Sequence, residues 1–261
     1  MTKEEFIIEF DKTVAQQCSV VHPNAIGLTP EEFTNLRRVG LGASDASVIL
    51  GAMPDWKTTE DVIKEKVTKD ITADELEVGR KPAVRKGRDL EPLVLSKASE
   101  LLNSFVYKPT AMYRIRDYAY LTVNYDGVVY DKAFVPVEAK VVTIYGAKYY
   151  DTTKAIAYLN YEKKILKEKE TFSSSFFNQN LETKAAACGI PNYYYVQVQQ
   201  QMLGLNADHG YLAALNDKDW TLYLYYVPKD PIVQTQIILK GHHTSERIAR
   251  LLKHSDRPWL A

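Results

Sequence analysis

Around Asn103 the spacing of apolar residues changes from the period of a helix to the period of a strand. That switch narrows the possible folds more than any other feature of the chain. Leu90, Leu93, Val94, Ala98, Leu101 and Leu102 recur at helical spacing and predict a long amphipathic helix from about Arg85 to Leu102. Beyond it, Met112-Tyr-Arg-Ile-Arg alternates, Tyr118-Ala-Tyr-Leu-Thr-Val follows, and apolar runs cover Asp126 to Tyr130 and Phe134 to Val142. These read as three or four strands in a meander. Pro191 then precedes a helix holding Tyr194, Gln197, Gln201 and Leu205. His209 to Leu215 and Trp220 to Val227 read as a hairpin turned at Asn216-Asp-Lys, and a last helix runs from Pro231 to about Leu252. The pattern predicts an α/β fold, a mixed central β-sheet flanked by helices. No internal repeat and no linker divides it, so residues 1–261 are expected to form one domain.

The first 66 or so residues read as mostly helical. One helix spans Glu4 to Gln17. A second starts at Thr29-Pro30-Glu31-Glu32, where Thr29 caps, Pro30 suits the first helical position and Glu32 completes a capping box. Ser44 reads as the cap of a short helix through Val48 to Leu50, and Thr58 as the cap of another through Val62 and Ile63. Tyr145 to about Glu170 is also expected to be helical, within an insertion covering about 145–190 that Ser173-Ser-Ser interrupts.

The formal net charge is zero, from 33 basic and 33 acidic residues, so any contact with nucleic acid must come from local clustering. Arg80, Lys81, Arg85, Lys86 and Arg88 form one such cluster ahead of Glu91. Two cysteines, Cys18 and Cys188, argue against a disulfide framework and exclude a four-cysteine metal site from one chain. No run reaches the length of a membrane-spanning helix, and Met1-Thr-Lys-Glu-Glu does not open a signal peptide. A cytoplasmic protein without membrane partners is expected. No glycine-rich phosphate loop of the nucleotide-hydrolase kind is present.

The residues that carry chemistry lie between Asn124 and Lys140. Side chains at i and i+2 of a strand share one face, so Glu138 and Lys140 project together. A carboxylate beside an amine on an apolar strand suits a metal-assisted phosphodiesterase, in which hard divalent cations want oxygen ligands. Asp126 and Glu138 would supply carboxylates and Ala139 its backbone carbonyl. Lys140, kept charged by the acids, would orient a water or stabilise developing charge. Glu91, on the long helix, is the candidate further acid. Taken singly each has a plainer explanation: Asp-Gly is common in turns, Glu-x-Lys is often a surface ion pair, and Glu91 could be a solvated helix residue. Their order along the chain is what singles them out.

That order resembles the YqaJ-like viral recombinase nucleases, the family that includes phage lambda exonuclease, within the PD-(D/E)XK nuclease superfamily. The stretches that carry the resemblance are Leu36-Arg-Arg-Val-Gly-Leu-Gly-Ala-Ser-Asp-Ala-Ser-Val-Ile-Leu-Gly, Lys86-Gly-Arg-Asp-Leu-Glu-Pro, Asn124-Tyr-Asp-Gly-Val, Val137-Glu-Ala-Lys and Tyr193-Tyr-Tyr-Val-Gln-Val-Gln. The resemblance implies a restriction-endonuclease-like core and a magnesium-dependent exonuclease, with manganese able to substitute. Such an enzyme would act 5′ to 3′ on duplex DNA ends in phage-type recombination, beside a single-strand annealing protein. It implies metal-ligand roles for Asp126, Glu138 and Glu91, and it makes Lys140 the catalytic lysine. Gln197 would be the helix glutamine beside that lysine, Arg37 and Ser44 contacts for a 5′-phosphate, and the assembly a trimer. An anion at Ser44 also suits a helix start, although Arg38 competes with its neighbour Arg37. An endonuclease on the same core, or a non-catalytic DNA-binding scaffold, remains the alternative.

Overall fold

The structure, a computed structural model, describes residues 1–53, 57–68, 77, 81–143, 146–160, 163–167 and 172–252. Arg80, Tyr145 and Glu170 lie outside the described residues. Helix α1 (Lys3–Gln17) opens with a capping box in which Thr2 Oγ1 accepts from the Glu5 N–H at 3.1 Å and the Glu5 carboxylate accepts from the Thr2 N–H at 2.8 Å. Phe6, Phe10 and Val14, four residues apart, bury one face of it. Helix α2 (Pro30–Leu36) starts at the expected box of Thr29 and Glu32, with Pro30 in its first turn. Helices α3 (Ala43–Ile49) and α4 (Thr59–Val67) follow, and Thr58 caps α4 as the spacing predicts.

The long helix α5 (Pro82–Leu102) begins three residues ahead of the expected Arg85, because Pro82 is accommodated in its first turn. Val94, Leu95, Ala98 and Leu101 form its buried face, and Asn103 in the left-handed region ends it. Helices α6 (Leu181–Ala187), α7 (Asn192–Leu205) and α8 (Pro231–Leu252) complete the set. The last two match the expected spans. Among the described residues no helix is long and apolar enough to cross a membrane.

The strands form two sheets rather than one meander. A small antiparallel sheet joins β1 (Cys18–His22), β3 (Met112–Ile115) and β4 (Thr122–Val123). The larger sheet has seven strands: β2 (Val106–Tyr107), β5 (Gly127–Asp131), β6 (Ala133–Val142), β9 (His209–Asn216), β10 (Leu222–Pro228), β7 (Ala157–Leu159) and β8 (Lys164–Leu166), in that order. Only the central pair, β6 with β9, runs parallel. The chain is therefore of the mixed α/β class that the alternation predicts.

Strand β1 was not expected, since Cys18-Ser-Val-Val-His is short and directly continues α1. The expected helix over 145–170 is absent from the described residues. Two three-residue strands stand there instead, with β7 pairing β10 at Tyr158 opposite Tyr223, and the two rings 6.1 Å apart. Backbone pairing to the open side of β10 outweighs local helical preference in this segment. Within 145–190 the one α-helix among the described residues is α6.

Helices α5 and α7 cover opposite faces of the central strands. Gly127, paired with Val137, faces α5: a Cβ there would lie 2.8 Å from Leu95 Cδ2 and 2.8 Å from Val106 Cγ1. The glycine of Asp126-Gly127 thus serves a close helix approach and not a turn. The next residue on β6, Glu138, points the other way and meets α7. The alternation along β6 thereby delivers the charged pair to the α7 side.

Candidate active site

Asp126 precedes β5, and its Oδ2 accepts the Ala139 N–H at 3.0 Å, which ties the acid to the middle of β6. Two residues apart on β6, the Glu138 carboxylate and the Lys140 ammonium are in direct contact, and the same ammonium lies 3.5 Å from Asp126 Oδ2. The structure therefore gathers Asp126, Glu138, Ala139 and Lys140 at one point. The ring of Tyr194, from α7, sits 5.1 Å from Lys140 Nζ and adds a cation–π contact.

Electrostatics at this point are those of a crowded acid pair around one cation. Burial, together with the charge of Asp126, pushes the Glu138 carboxyl up to about 7, with Lys140 and Gln201 opposing. Burial would lower Lys140, but Glu138 and Asp126 outweigh it and hold the ammonium above its ordinary range. Lys140 stays charged.

Glu91 reaches the same field from α5 but is ion-paired with Lys108, a residue that the sequence did not single out. Burial and then the charge of Asp126 raise its carboxyl, against the pull of Lys108 and Lys140. Among the described residues no three His, Cys, Asp or Glu side chains converge closely enough to form a metal-binding group. The donor set nevertheless suits a hard cation. Besides two carboxylates on one ammonium, Asn124 Oδ1 and Gln201 Oε1 are buried oxygens that accept no hydrogen bond. Both residues line the cleft beside Asp126 and Glu138. Buried acceptors without partners are costly, and a cation or water would satisfy them.

The glutamine bonded to the acid is Gln201, whose Nε2 donates to Glu138 Oε2 at 2.5 Å. Gln197 lines the same cleft one helical turn earlier, while the ring beside the lysine is that of Tyr194. The i, i+4 spacing of the two glutamines put both on one face, but not which of them would meet β6.

Arg37 and Ser44 line that cleft too, an opening of about 240 Å³ shared with Asn124, Asp126, Glu138 and Gln201. Arg37 Nη2 donates to Ser44 Oγ at 2.9 Å. Ser44 is not the helix cap. Gly42 takes that place, and Asp45 Oδ2 accepts its N–H at 2.9 Å. The competitor Arg38 is buried, at 3% exposure, and its Nη1 donates to the Thr68 carbonyl, so Arg37 is the arginine that meets the cleft.

Two devices hold this loop in place. Lys66 pairs with buried Asp45 at 2.7 Å and donates to the Arg37 carbonyl at 2.6 Å. Burial would raise Asp45, but Lys66 and Arg37 outweigh it and keep the carboxyl below its usual range. Leu41 bridges to Leu121, and Gln200 Nε2 donates to both the Leu41 and Thr122 carbonyls at 2.9 Å. Helix α7 thus clamps the loop that carries Arg37 to the strand that leads to Asp126. Of the basic cluster on α5, Lys86 is paired with Asp217 at 2.8 Å.

A sequence profile of the YqaJ-like viral recombinase domain matches residues 32–204. No curated protein sequence matches the chain. Among solved structures, an alkaline exonuclease (LHK-Exo) from Laribacter hongkongensis is similar with a TM-score of 0.53 and 14% identity, over 86% of this chain and 95% of that one. The same exonuclease in complex with dAMP gives 0.49 at 14% identity, over 85% and 96% of the two chains. A phage-related exonuclease from Haemophilus somnus 129PT gives 0.46 at 13% identity, over 84% and 98%. At 14% identity the first of these likenesses concerns the fold alone.

Proposed function

Since the chain belongs to the YqaJ-like viral recombinase family, we propose that it is a divalent-metal-dependent exonuclease that degrades one strand of linear duplex DNA from its 5′ end. The observation that carries this reading is the meeting of Asp126 and Glu138 on the Lys140 ammonium, with both acids lining the cleft that Arg37 and Ser44 also line. In this role the protein would prepare ends for a single-strand annealing partner in phage-type recombination.

Asp126, Glu138 and the Ala139 carbonyl would hold the cation, with Glu91 as the further acid once released from Lys108. Magnesium, or manganese in its place, would supply Lewis acidity and a water of lowered pKa. Lys140, held in its charged form by Glu138 and Asp126, would face the position where negative charge develops on the attacked phosphate, and preorganised donors act most strongly there. Gln201 fixes the Glu138 carboxylate by its hydrogen bond, leaving the other oxygen to the lysine side. Arg37, with Ser44, offers a charged fork to a terminal phosphate in the same cleft. Duplex with a single labelled 5′ or 3′ end, incubated with magnesium, is expected to lose nucleotides from the 5′ end. Addition of EDTA is expected to stop the reaction. Cutting of covalently closed circles would instead identify an endonuclease.

Arg37→Ala is expected to lower the preference for 5′-phosphorylated over 5′-hydroxyl ends by about tenfold or more, the scale of a hydrogen bond to a charged group. Competition between the two ends in one reaction measures it, and an unchanged preference removes Arg37 from phosphate recognition.

A further inference from the structure

Beside the catalytic lysine lies a second and larger groove, of about 750 Å³, that the chemistry above does not use. Tyr149, Tyr150 and Tyr193 wall it, with Lys148 at its rim. We propose that this groove is a stacking subsite for the unpaired bases of the DNA strand that enters the active site. The proposal deepens the nuclease reading and rests on it.

Ring contacts link the groove wall to the active site. The Tyr193 and Tyr194 ring centroids are 4.3 Å apart, those of Tyr150 and Tyr194 are 6.4 Å apart, and Tyr194 lies over Lys140. A line of aromatic faces therefore leads from the catalytic ammonium into the groove. Tyr149, at its outer end, is 57% exposed, whereas Tyr195, Tyr211 and Tyr225 are fully buried in the core. Its exposure gives it no packing role comparable with theirs. Lys148 Nζ sits 5.0 Å from the Tyr149 ring, so a cation stands at the rim where a backbone phosphate would pass.

The remaining polar groups suit bases better than phosphates. Asp151 and Glu182 also line the groove, and their carboxylates would repel a phosphate but accept from exocyclic amines. Asp151 is already turned to the Thr153 N–H and hydroxyl, at 2.9 and 2.6 Å. The volume lies within the roughly 300–1,000 Å³ of small-ligand sites. Paired bases are stacked inside a duplex and cannot present their faces to a tyrosine, so the occupant is an unpaired strand.

The test compares two short 5′-phosphorylated oligonucleotides, one of thymidines and one of abasic residues, by fluorescence anisotropy with calcium in place of magnesium. Wild type is expected to bind the thymidine strand at least about fivefold more tightly, from the roughly 1–3 kcal/mol that a base–aromatic stack contributes. Tyr149→Ala is expected to remove most of that ratio and Tyr149→Trp to restore it, which separates stacking from a folding defect. Equal binding of the two strands by wild type, or an unchanged ratio in Tyr149→Ala, overturns the proposal. The latter is the result expected if the groove holds a protein segment instead. Cleavage of linear duplex by wild type in magnesium is scored separately. Its absence would sink the nuclease reading, whereas cleavage with equal binding sinks the groove alone.

Discussion

Replacing Lys140 by alanine is expected to slow strand cleavage by about 10²–10³-fold, the cost of removing one preorganised donor from a developing negative charge. Binding to linear duplex should persist, because the variant leaves Arg37 and Ser44, the proposed phosphate contacts, in place. The effect should be large because the ammonium has two duties. In the proposed mechanism it would face the reacting phosphate, and in the structure it balances Glu138 and Asp126, whose carboxylates it touches or approaches at 3.5 Å. Removing it leaves Glu138, already raised by burial and by Asp126, without its main stabilising partner. Single-turnover cleavage beside a gel-shift titration measures the two properties separately. A variant that cuts at the wild-type rate would remove the lysine from the mechanism. One that loses cleavage and binding together would mean that Lys140 holds the site's shape.

The largest effect on stability is expected away from the site, at Lys184. Its ammonium pairs with Asp230 Oδ2 at 2.8 Å, with both side chains almost wholly buried. The same oxygen accepts from the Tyr195 hydroxyl at 3.0 Å, and Asp230 Oδ1 accepts the Ile232 and Val233 N–H groups at the start of α8. Gln199 Oε1 takes the Asp230 N–H at 2.9 Å. This network joins α6, α7 and α8. Lys184→Met would leave a buried carboxylate without its cation, which costs about 3–5 kcal/mol. Urea unfolding followed by circular dichroism measures the loss. The double variant Lys184→Met, Asp230→Asn should recover part of it, because the unpaired charge is gone. A loss under about 1 kcal/mol for the single variant would show that the pair contributes little beyond its neighbours' hydrogen bonds.

Several parts of the site were legible before any coordinates. The Glu138-x-Lys140 spacing on a strand places two side chains on one face whatever the rest of the fold does. Thr29 with Glu32, and Thr58 as a cap, mark their helix starts through contacts made within four residues. What the sequence left open, and the one cap it misplaced, fall where a distant partner or a local turn decides. Arg37 and Arg38 are neighbours with the same chemistry, and it is the tertiary fold that buries Arg38, whose Nη1 donates to the Thr68 carbonyl. Gln197 and Gln201 share a helix face, and the seating of α7 on β6 selects Gln201 for Glu138. The cap at Gly42 in place of Ser44 follows from the turn of Asp45 back onto the Gly42 N–H.

Strands β7 and β8 illustrate the same limit from the side of the fold. Three residues carry too little periodicity to announce a strand; β7 exists because β10 offers it an unpaired edge, and β8 because β7 then offers another. Local order, then, was determined by the chain alone: the helix starts, the long apolar faces, the alternation that pairs an acid with an amine, and the family those motifs resemble. The meeting of β6 with α7, the choice between adjacent arginines, and the cleft uniting Arg37 with Asp126 were decided only by tertiary packing. The reason is physical. Periodicity and capping depend on residues a few positions apart, whereas the cleft depends on side chains up to 168 positions apart, from Phe33 to Gln201, brought together by burial of the core.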